Sequence, residues 1–262
     1  MKKKGATKQK KHLRLRKKVV LNILVFLLLA LTTFLYIKNA KVTNIYVYGN
    51  HEIKDATIIE NASLKNYPHL KDINKKHMEE EINKIPLINS SKIKISPLGK
   101  VTINVEEENI LFLYNFNNKY ITSKNNQINN LNNYYGYPIL INFTPDTVMQ
   151  KLVKGLKDID QDIIKMINEI EYTPYKKEDG TIIDENRFTL KMNDQNTVLI
   201  DIPNIKNLNK YKTIYASLGM DKVKGVVYLD TIIDERLLFK SYDSIIKDQE
   251  IKKANEEKEE KK

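Results

Sequence analysis

The sequence predicts an α+β protein: a single N-terminal transmembrane helix, a small strand-helix-helix-strand-strand unit, then a larger mixed β domain with helices. Three observations carry this. Val19 to Ile37, VVLNILVFLLLALTTFLYI, is a run of nineteen residues without a charge. Residues 41–108 place strand-like alternation on either side of two helical patterns. From residue 109 to 242, short apolar alternations recur between turn residues, interrupted by longer helical stretches.

The apolar run reaches roughly 28 Å as a helix, which matches the hydrocarbon thickness of a bilayer. Its polar interruptions are Asn22, Thr32 and Thr33. Residues 1–18 hold ten basic and no acidic residues, so the positive-inside rule assigns them to the cytoplasm and everything from Lys38 to the outside. A cleaved signal peptide has the same order of basic and apolar segments. Its apolar run is normally about 7 to 15 residues, however, and only Lys38-Asn39-Ala40 follows this one where a small-x-small site is required. The sequence favours an uncleaved anchor at 19–37.

Topology also accounts for the charge. The chain carries a formal +11, but without the ten cations of the tail its 44 lysines and arginines become 34 against 33 acids. The exported part is close to neutral, and the tail has no aromatic residue for stacking on bases, so no nucleic-acid partner is expected. Cysteine is absent, which excludes disulfides, a thiolate nucleophile and cysteine zinc sites. The exported residues must fold on apolar burial alone, and there are enough of them for one large or two ordinary domains.

Ile45 and Val47 alternate with Tyr46 and Tyr48 before a Gly49-Asn50 turn, giving a strand. Asp55 is expected to cap a short helix carrying Ile58, Ile59 and Ala62. A second helix is expected from Asp72 to Ile85, with Ile73, Met78, Ile82 and Ile85 in register and Pro86 as its stop. Ile93 with Ile95, and Val101 with Ile103 and Val105, then form a hairpin across Ser96-Pro97-Leu98-Gly99.

This order resembles the membrane-proximal POTRA module of the FtsQ/DivIB family of bacterial cell-division proteins. The resemblance rests on KVTNIYVYGN at the start and KIPLINSSKIKISPLGKVTINVEE at the end. Gly49-Asn50, Pro86, and Pro97 with Gly99 are the shared points. Family members also carry a basic tail, one span and a second β-rich domain. The chain departs from the family where Glu106-Glu107-Glu108-Asn109-Ile110 replaces a Glu-Arg followed by Pro, where Ser123-Lys124-Asn125-Asn126 replaces an Asp-x-x-Gly turn, and where no Gly follows Pro138-Ile139-Leu140. The domains are read as 1–18 tail, 19–37 span, 41–108 POTRA-like, 109–242 β domain and 243–262 charged flexible tail.

In the second domain, strands are expected at 110–114 and around Tyr120. Residues 147–168 read as helical, with Val148, Leu152 and Leu156 in register and Ile159, Ile163, Ile167 and Ile170 continuing the face; Gly155 and the 158–160 region are candidate breaks. A hairpin follows, Phe188 to Met192 with Val198 to Ile202. Leu208, Tyr211, Ile214, Tyr215 and Leu218 lie on one helix face ending at Gly219. Gly225 to Asp230 and Leu237 to Tyr242 are candidate closing strands.

No catalytic constellation emerges. Asp158, Asp160, Asp162 and Glu169 match calcium-loop positions, but Ile163 stands where the loop needs glycine. His77 and Glu81 share an i, i+4 spacing without a third ligand. Asp184 and Glu185 are adjacent acids of the sort any acid-rich chain contains. There is no P-loop, no G-x-G-x-x-G and no G-x-S-x-G. Neither a cofactor nor a small-molecule substrate is expected. Fifteen tyrosines suit either partner surfaces or core edges.

The resemblance implies a non-enzymatic divisome scaffold in the cell membrane at the septum, binding FtsL-like and DivIC/FtsB-like bitopic proteins and helping to control septal peptidoglycan synthesis. It also implies the docking edge: the last strand, through Arg236, Leu237, Leu238, Phe239 and Tyr242; the alternative reading is that these apolar residues simply finish the core. On that reading a charged residue at Phe239 or Tyr242 would abolish partner binding and leave the domain folded. A POTRA-containing transport component and a membrane-anchored envelope enzyme are the alternatives; the first lacks repeats and barrel strands here, the second a site.

Overall fold

The computed structural model describes residues 17–130, 134–177, 179–230 and 238–259, arranged in two compact units. The basic tail up to residue 16 lies outside the described residues. The first unit opens with α1 (Lys17–Asn39), whose described side chains from Val19 to Tyr36 are all exposed, Phe26 at 71%. Among the described residues no protein core covers it. Its two threonines are self-satisfied: Thr32 and Thr33 donate their hydroxyls to the Leu29 carbonyl at 2.9 and 2.7 Å. A polar side chain bonded back to its own helix loses little in hydrocarbon.

The rest of this unit follows as β1 (Asn44–Tyr48), α2 (Asp55–Asn61), a 3-10 turn at Leu70–Asp72, α3 (Lys75–Ile82), β2 (Ile88–Ile95) and β3 (Lys100–Glu107). The sheet order is β1-β3-β2, with β1 parallel to β3 in the register Ile45↔Val101 and Val47↔Ile103. Ile58, Leu64 and Ile82 from the helical side and Ile93, Val101 and Ile103 from the sheet are fully buried. The opposite sheet face leaves Tyr46 and Tyr48 exposed and stacked at 6.5 Å. Glycine is required after β1, because Gly49 has φ +88° and a Cβ there would meet the Val105 carbonyl oxygen at 2.1 Å.

Two details of this unit correct the sequence reading. Asp55 is not the cap of α2; it is the first helical residue, after Lys54, and its carboxylate accepts from the Asn50 amide at 2.7 Å. The second helix is also shorter than 72–85. It starts after Asn74, whose side chain accepts from His77 N–H, and ends before Asn83, leaving Ile85 buried outside the helix.

The second unit comprises residues 51–53, 85–89 and 106 onward. Its elements are β4 (Ile110–Tyr114), β5 (Lys119–Thr122), β6 (Gln127–Asn129), β7 (Ile139–Leu140), α4 (Asp146–Leu156), α5 (Gln161–Ile164) and β8 (Ile167–Tyr172). After these come β9 (Tyr175–Lys176), β10 (Ile182–Asp184), β11 (Arg187–Met192), β12 (Thr197–Asp201) and a 3-10 helix at Ile202–Lys210. Finally come α6 (Tyr211–Ser217), β13 (Gly225–Tyr228), β14 (Leu238–Ser241) and α7 (Tyr242–Glu259). Among the described residues nine strands form one mixed sheet in the order β14-β13-β12-β11-β8-β7-β4-β5-β6; β9 and β10 pair separately. The pairs β7–β8 and β12–β13 are parallel, so each needs a crossover, supplied by α4 with α5 and by the 3-10 helix with α6. The core is formed by Leu152, Leu156, Leu208 and Tyr211 of the crossovers over Phe112, Phe188 and Val198 of the sheet. Gly155 lets α4 meet the 3-10 helix, since a Cβ there would lie 2.5 Å from Ile205 Cγ2.

The helical pattern continued through Ile167 and Ile170 does not hold. The helix stops at Leu156, α5 is a single turn, and both isoleucines lie in β8. They share a face because β8 is bulged. Ile170 pairs with Leu190 and Glu169 with Lys191, but Met192 pairs with Ile167, leaving Asn168 as the extra residue. A bulge converts a spacing of three into a same-face spacing, which imitates helical periodicity. Leu208 belongs to the 3-10 segment, not to α6, and Leu218 is 38% exposed. Residues 243–259, for which the charged sequence leaves a mobile tail or a frayed helix open, are helical.

The residues that replace the family's Glu-Arg have a local role. The Glu107 carboxylate accepts three successive backbone N–H groups, from His51 and Glu52 at 2.9 Å and from Ile53 at 3.0 Å. Glu52 in turn accepts from Tyr137 Oη at 2.8 Å and from Lys165 Nζ at 3.0 Å. Burial and then the Glu52 carboxylate push the Tyr137 hydroxyl well above its usual range, so it remains a donor.

Candidate partner-binding edge

β14 is the terminal strand of the large sheet and pairs antiparallel with β13: Gly225↔Ser241, Val226↔Lys240, Val227↔Phe239, Tyr228↔Leu238. Among the described residues nothing pairs with its other side. An edge of this kind offers unpaired N–H and C=O groups to an extended segment of another chain.

Of the five residues assigned to the edge, Leu238 and Phe239 lie on β14, while Arg236 and Leu237 lie outside the described residues. Tyr242 is corrected: it is the first residue of α7, since the chain leaves the ladder after Ser241. Its hydroxyl lies 2.8 Å from Thr197 Oγ1 and donates to the Gln195 carbonyl at 3.2 Å, tying the start of α7 to the β11–β12 turn. Phe239 sits opposite the fully buried Val227 and packs against the core. A charge at Phe239 or Tyr242 therefore attacks the seating of β14 itself. Lys240 points to the other face, where its ammonium meets the Asp248 carboxylate of α7 at 3.1 Å. A groove of about 430 Å³ opens there, lined by Tyr228, Lys240, Ile245, Asp248, Ile251 and Lys252.

Sequence reading missed the groups that seat this edge. Gly225 takes β14 at close range: a Cβ would come within 2.2 Å of the Lys240 carbonyl oxygen. An isolated glycine in a strand pattern is the available signal for such an approach. Asn196, 1% exposed, accepts the Gly225 N–H at 3.0 Å. Asp194 holds Asn196 N–H at 3.0 Å and accepts the buried Tyr211 hydroxyl at 2.9 Å. Burial, and next the Asp194 carboxylate, push the Tyr211 hydroxyl far up. At the other end of β13, Asp230 lies 2.5 Å from Arg187 Nη2, with side chains 1% and 15% exposed. Burial raises the Asp230 carboxyl above its ordinary value while the Arg187 guanidinium opposes it.

The acids weighed for chemistry have structural partners instead. Asp162 meets Lys212 at 3.2 Å, Glu185 meets Lys151 at 3.0 Å, and the Asp184 carboxylate accepts the Asn186 N–H at 2.8 Å. His77 and Glu81 are a surface pair at 3.8 Å, and Lys84, 2.6 Å away, chiefly lowers the Glu81 carboxyl. Among the described residues no three His, Asp or Glu side chains gather closely enough to hold a metal ion.

One N-terminal helix long and apolar enough to cross a membrane, a β1-β3-β2 unit with two helices on one face and a second mixed sheet are the arrangement of a POTRA-bearing protein. Residues 31–108 match the POTRA domain, FtsQ-type. Over most of its length the chain is also similar to DivIB cell-division proteins. It is 27% identical over 227 residues to cell division protein DivIB of Bacillus subtilis, covering 85% of this chain and 84% of that one. It is 24% identical to DivIB of Listeria monocytogenes, over 78% of this chain and 75% of the relative. Among solved structures it is similar to the major extracytoplasmic domain of DivIB from Geobacillus stearothermophilus, at 16% identity and a TM-score of 0.34, over 44% of this chain and 98% of that one.

Proposed function

We propose that this protein is a non-enzymatic scaffold of the bacterial divisome, anchored by α1 in the cell membrane with its two folded units outside. It binds FtsL-like and DivIC/FtsB-like bitopic proteins and so helps to control septal peptidoglycan synthesis. The observation that supports this reading best is the position of β14, last in a nine-strand sheet and unpaired on one side among the described residues. A partner segment adds there as a further strand. Backbone hydrogen bonds supply the affinity and side-chain pockets beside the strand supply the specificity. In this reading Leu238 belongs to the edge, Phe239 holds it on the core and Tyr242 fixes its end, while Arg236 and Leu237, assigned to the same edge, lie outside the described residues.

The test is amide hydrogen exchange of the full chain in detergent, alone and with the extracytoplasmic parts of an FtsL/DivIC-like pair. Strand addition slows exchange across Leu238–Ser241. Complex formation with unchanged exchange in that peptide removes β14 as the docking site. Absence of co-purification removes the partner assignment.

A further inference from the structure

We infer that the end of the POTRA-like unit nearest α1 seats on anionic phospholipid headgroups, with Leu98 entering the interface and Lys38, Lys41, Lys71 and Lys100 binding lipid phosphates. The inference rests on the reading of α1 as a span, and it concerns a surface distinct from β14.

Two loops are fastened to the few residues that follow α1. On one side the Leu70 N–H donates to the Ala40 carbonyl at 2.9 Å, Lys41 bridges to His69, and the Val42 N–H donates to the Pro68 carbonyl at 2.9 Å. On the other side the Thr43 N–H donates to the Gly99 carbonyl at 2.8 Å and the Thr43 hydroxyl to the Leu98 carbonyl at 3.2 Å. Gly99 permits this approach: φ is +87°, and a Cβ would lie 2.3 Å from the Lys41 carbonyl oxygen. Thr43 follows the last residue of α1 by four positions, so the Leu98 turn is tied to a point at most about 14 Å beyond the helix end. The headgroup layer itself is roughly 5 to 7 Å deep on each side of the hydrocarbon.

The side chains on these segments suit that layer. Leu98 is 70% exposed at the tip of a hairpin, with the exposed Pro97 beside it. Lys38, Lys41, Lys71 and Lys100 are exposed, and among the described residues none of them is in an ion pair. Lys100 Nζ rests 4.6 Å above the Tyr46 ring. Asp72 is the one acid on these stretches. Cations around an exposed apolar tip, next to a span, complement a negatively charged leaflet, where each lysine near the surface is worth about 1 kcal/mol.

The chain has no cysteine, so Leu98→Cys or Asn83→Cys places a single environment-sensitive dye; Asn83 follows α3, near the opposite end of the sheet from the hairpin. Full-length protein is reconstituted in vesicles of phosphatidylglycerol with phosphatidylcholine, or of phosphatidylcholine alone. The expected result is a blue-shifted emission at 98, quenched by lipids spin-labelled near the headgroup, in phosphatidylglycerol only, with neither effect at 83. Lys41→Glu, Lys71→Glu and Lys100→Glu together lower the docked-to-free ratio by at least about 100-fold. Equal signals at 98 and 83, or a signal at 98 indifferent to lipid charge, overturn the inference. Binding of a soluble glycerophosphate polymer to these lysines without any shift at 98 reassigns them and overturns it as well. If the protein is instead stripped from vesicles by alkaline carbonate, α1 does not span and the anchoring itself fails.

Discussion

Gly225→Ala tests the seating of the proposed docking edge. The added Cβ would lie 2.2 Å from the Lys240 carbonyl oxygen, 2.8 Å from Ser241 Cα and 2.9 Å from the Lys240 carbonyl carbon. All three atoms are backbone, so no side chain can rotate away. An ordinary carbon–oxygen contact is about 3.3 Å, so β14 must retreat by about 1 Å, enough to carry a hydrogen bond of about 2.9 Å beyond 3.5 Å. What holds β14 down is limited: the partial burial of Phe239, worth about 1 kcal/mol, and the two Tyr242 contacts, about 1 kcal/mol each. Loss of about 2 kcal/mol speeds exchange of the Leu238–Ser241 amides roughly 30-fold, while β8 and β11, deeper in the sheet, exchange as before. Wild-type protection of 238–241 in the variant would refute the steric reasoning. Exposed 238–241 amides combined with undiminished partner capture would refute the assignment of the edge.

Other perturbations reach the groups around it. Arg187→Leu strands a buried carboxylate at Asp230 and costs about 3–5 kcal/mol at pH 7 by denaturant titration. With the opposing guanidinium gone, the folded pKa of Asp230 rises further above its unfolded value. The penalty therefore vanishes below about pH 4 and grows as pH rises through the folded pKa, so the melting difference from wild type narrows on acidification. Glu107→Ala leaves three backbone N–H groups without their acceptor and costs about 2–4 kcal/mol. Glu107→Gln, which keeps an accepting oxygen, costs about half as much, and equal losses would argue against the hydrogen bonds. Gly155→Ala destabilises by about 1 kcal/mol, as overpacking against Ile205 outweighs the gain in helix propensity. Ile205→Ala should rescue it in a double-mutant cycle.

Period and punctuation made the span, the POTRA-like order and the β11–β12 hairpin readable, because each is set by neighbours within a few residues. β8 was not readable. Nothing near Ile167 announces that Asn168 will be pushed out of the ladder by the register of Lys191 and Met192. The helix starts were missed for a related reason: Asp55 at the start of α2 and Asn74 before α3 are both competent caps, but only Asn74 accepts a backbone N–H of its own helix, while Asp55 takes the Asn50 side-chain amide. At β14 the strand was visible, but its supports were not. Gly225, Asn196, Asp194 and Tyr211 are spread over some thirty residues and meet only through the β12–β13 crossover. The tyrosines divide accordingly, with Tyr211 buried and Tyr46 and Tyr48 exposed.

The order β6, β5, β4, β7, β8, β11, β12, β13, β14 is nearly the order in which these strands are synthesised. After the first hairpins, each new strand has a finished edge to join, and no strand must later be inserted between two others. The sheet can thus grow sideways as the chain emerges, each strand hiding the sticky border left by the one before. Growth leaves two borders at every stage, the outer side of β6, set early, and the side that is still advancing. The advancing border comes to rest at β14, and that edge is complete only after the residues that seat it have all been delivered.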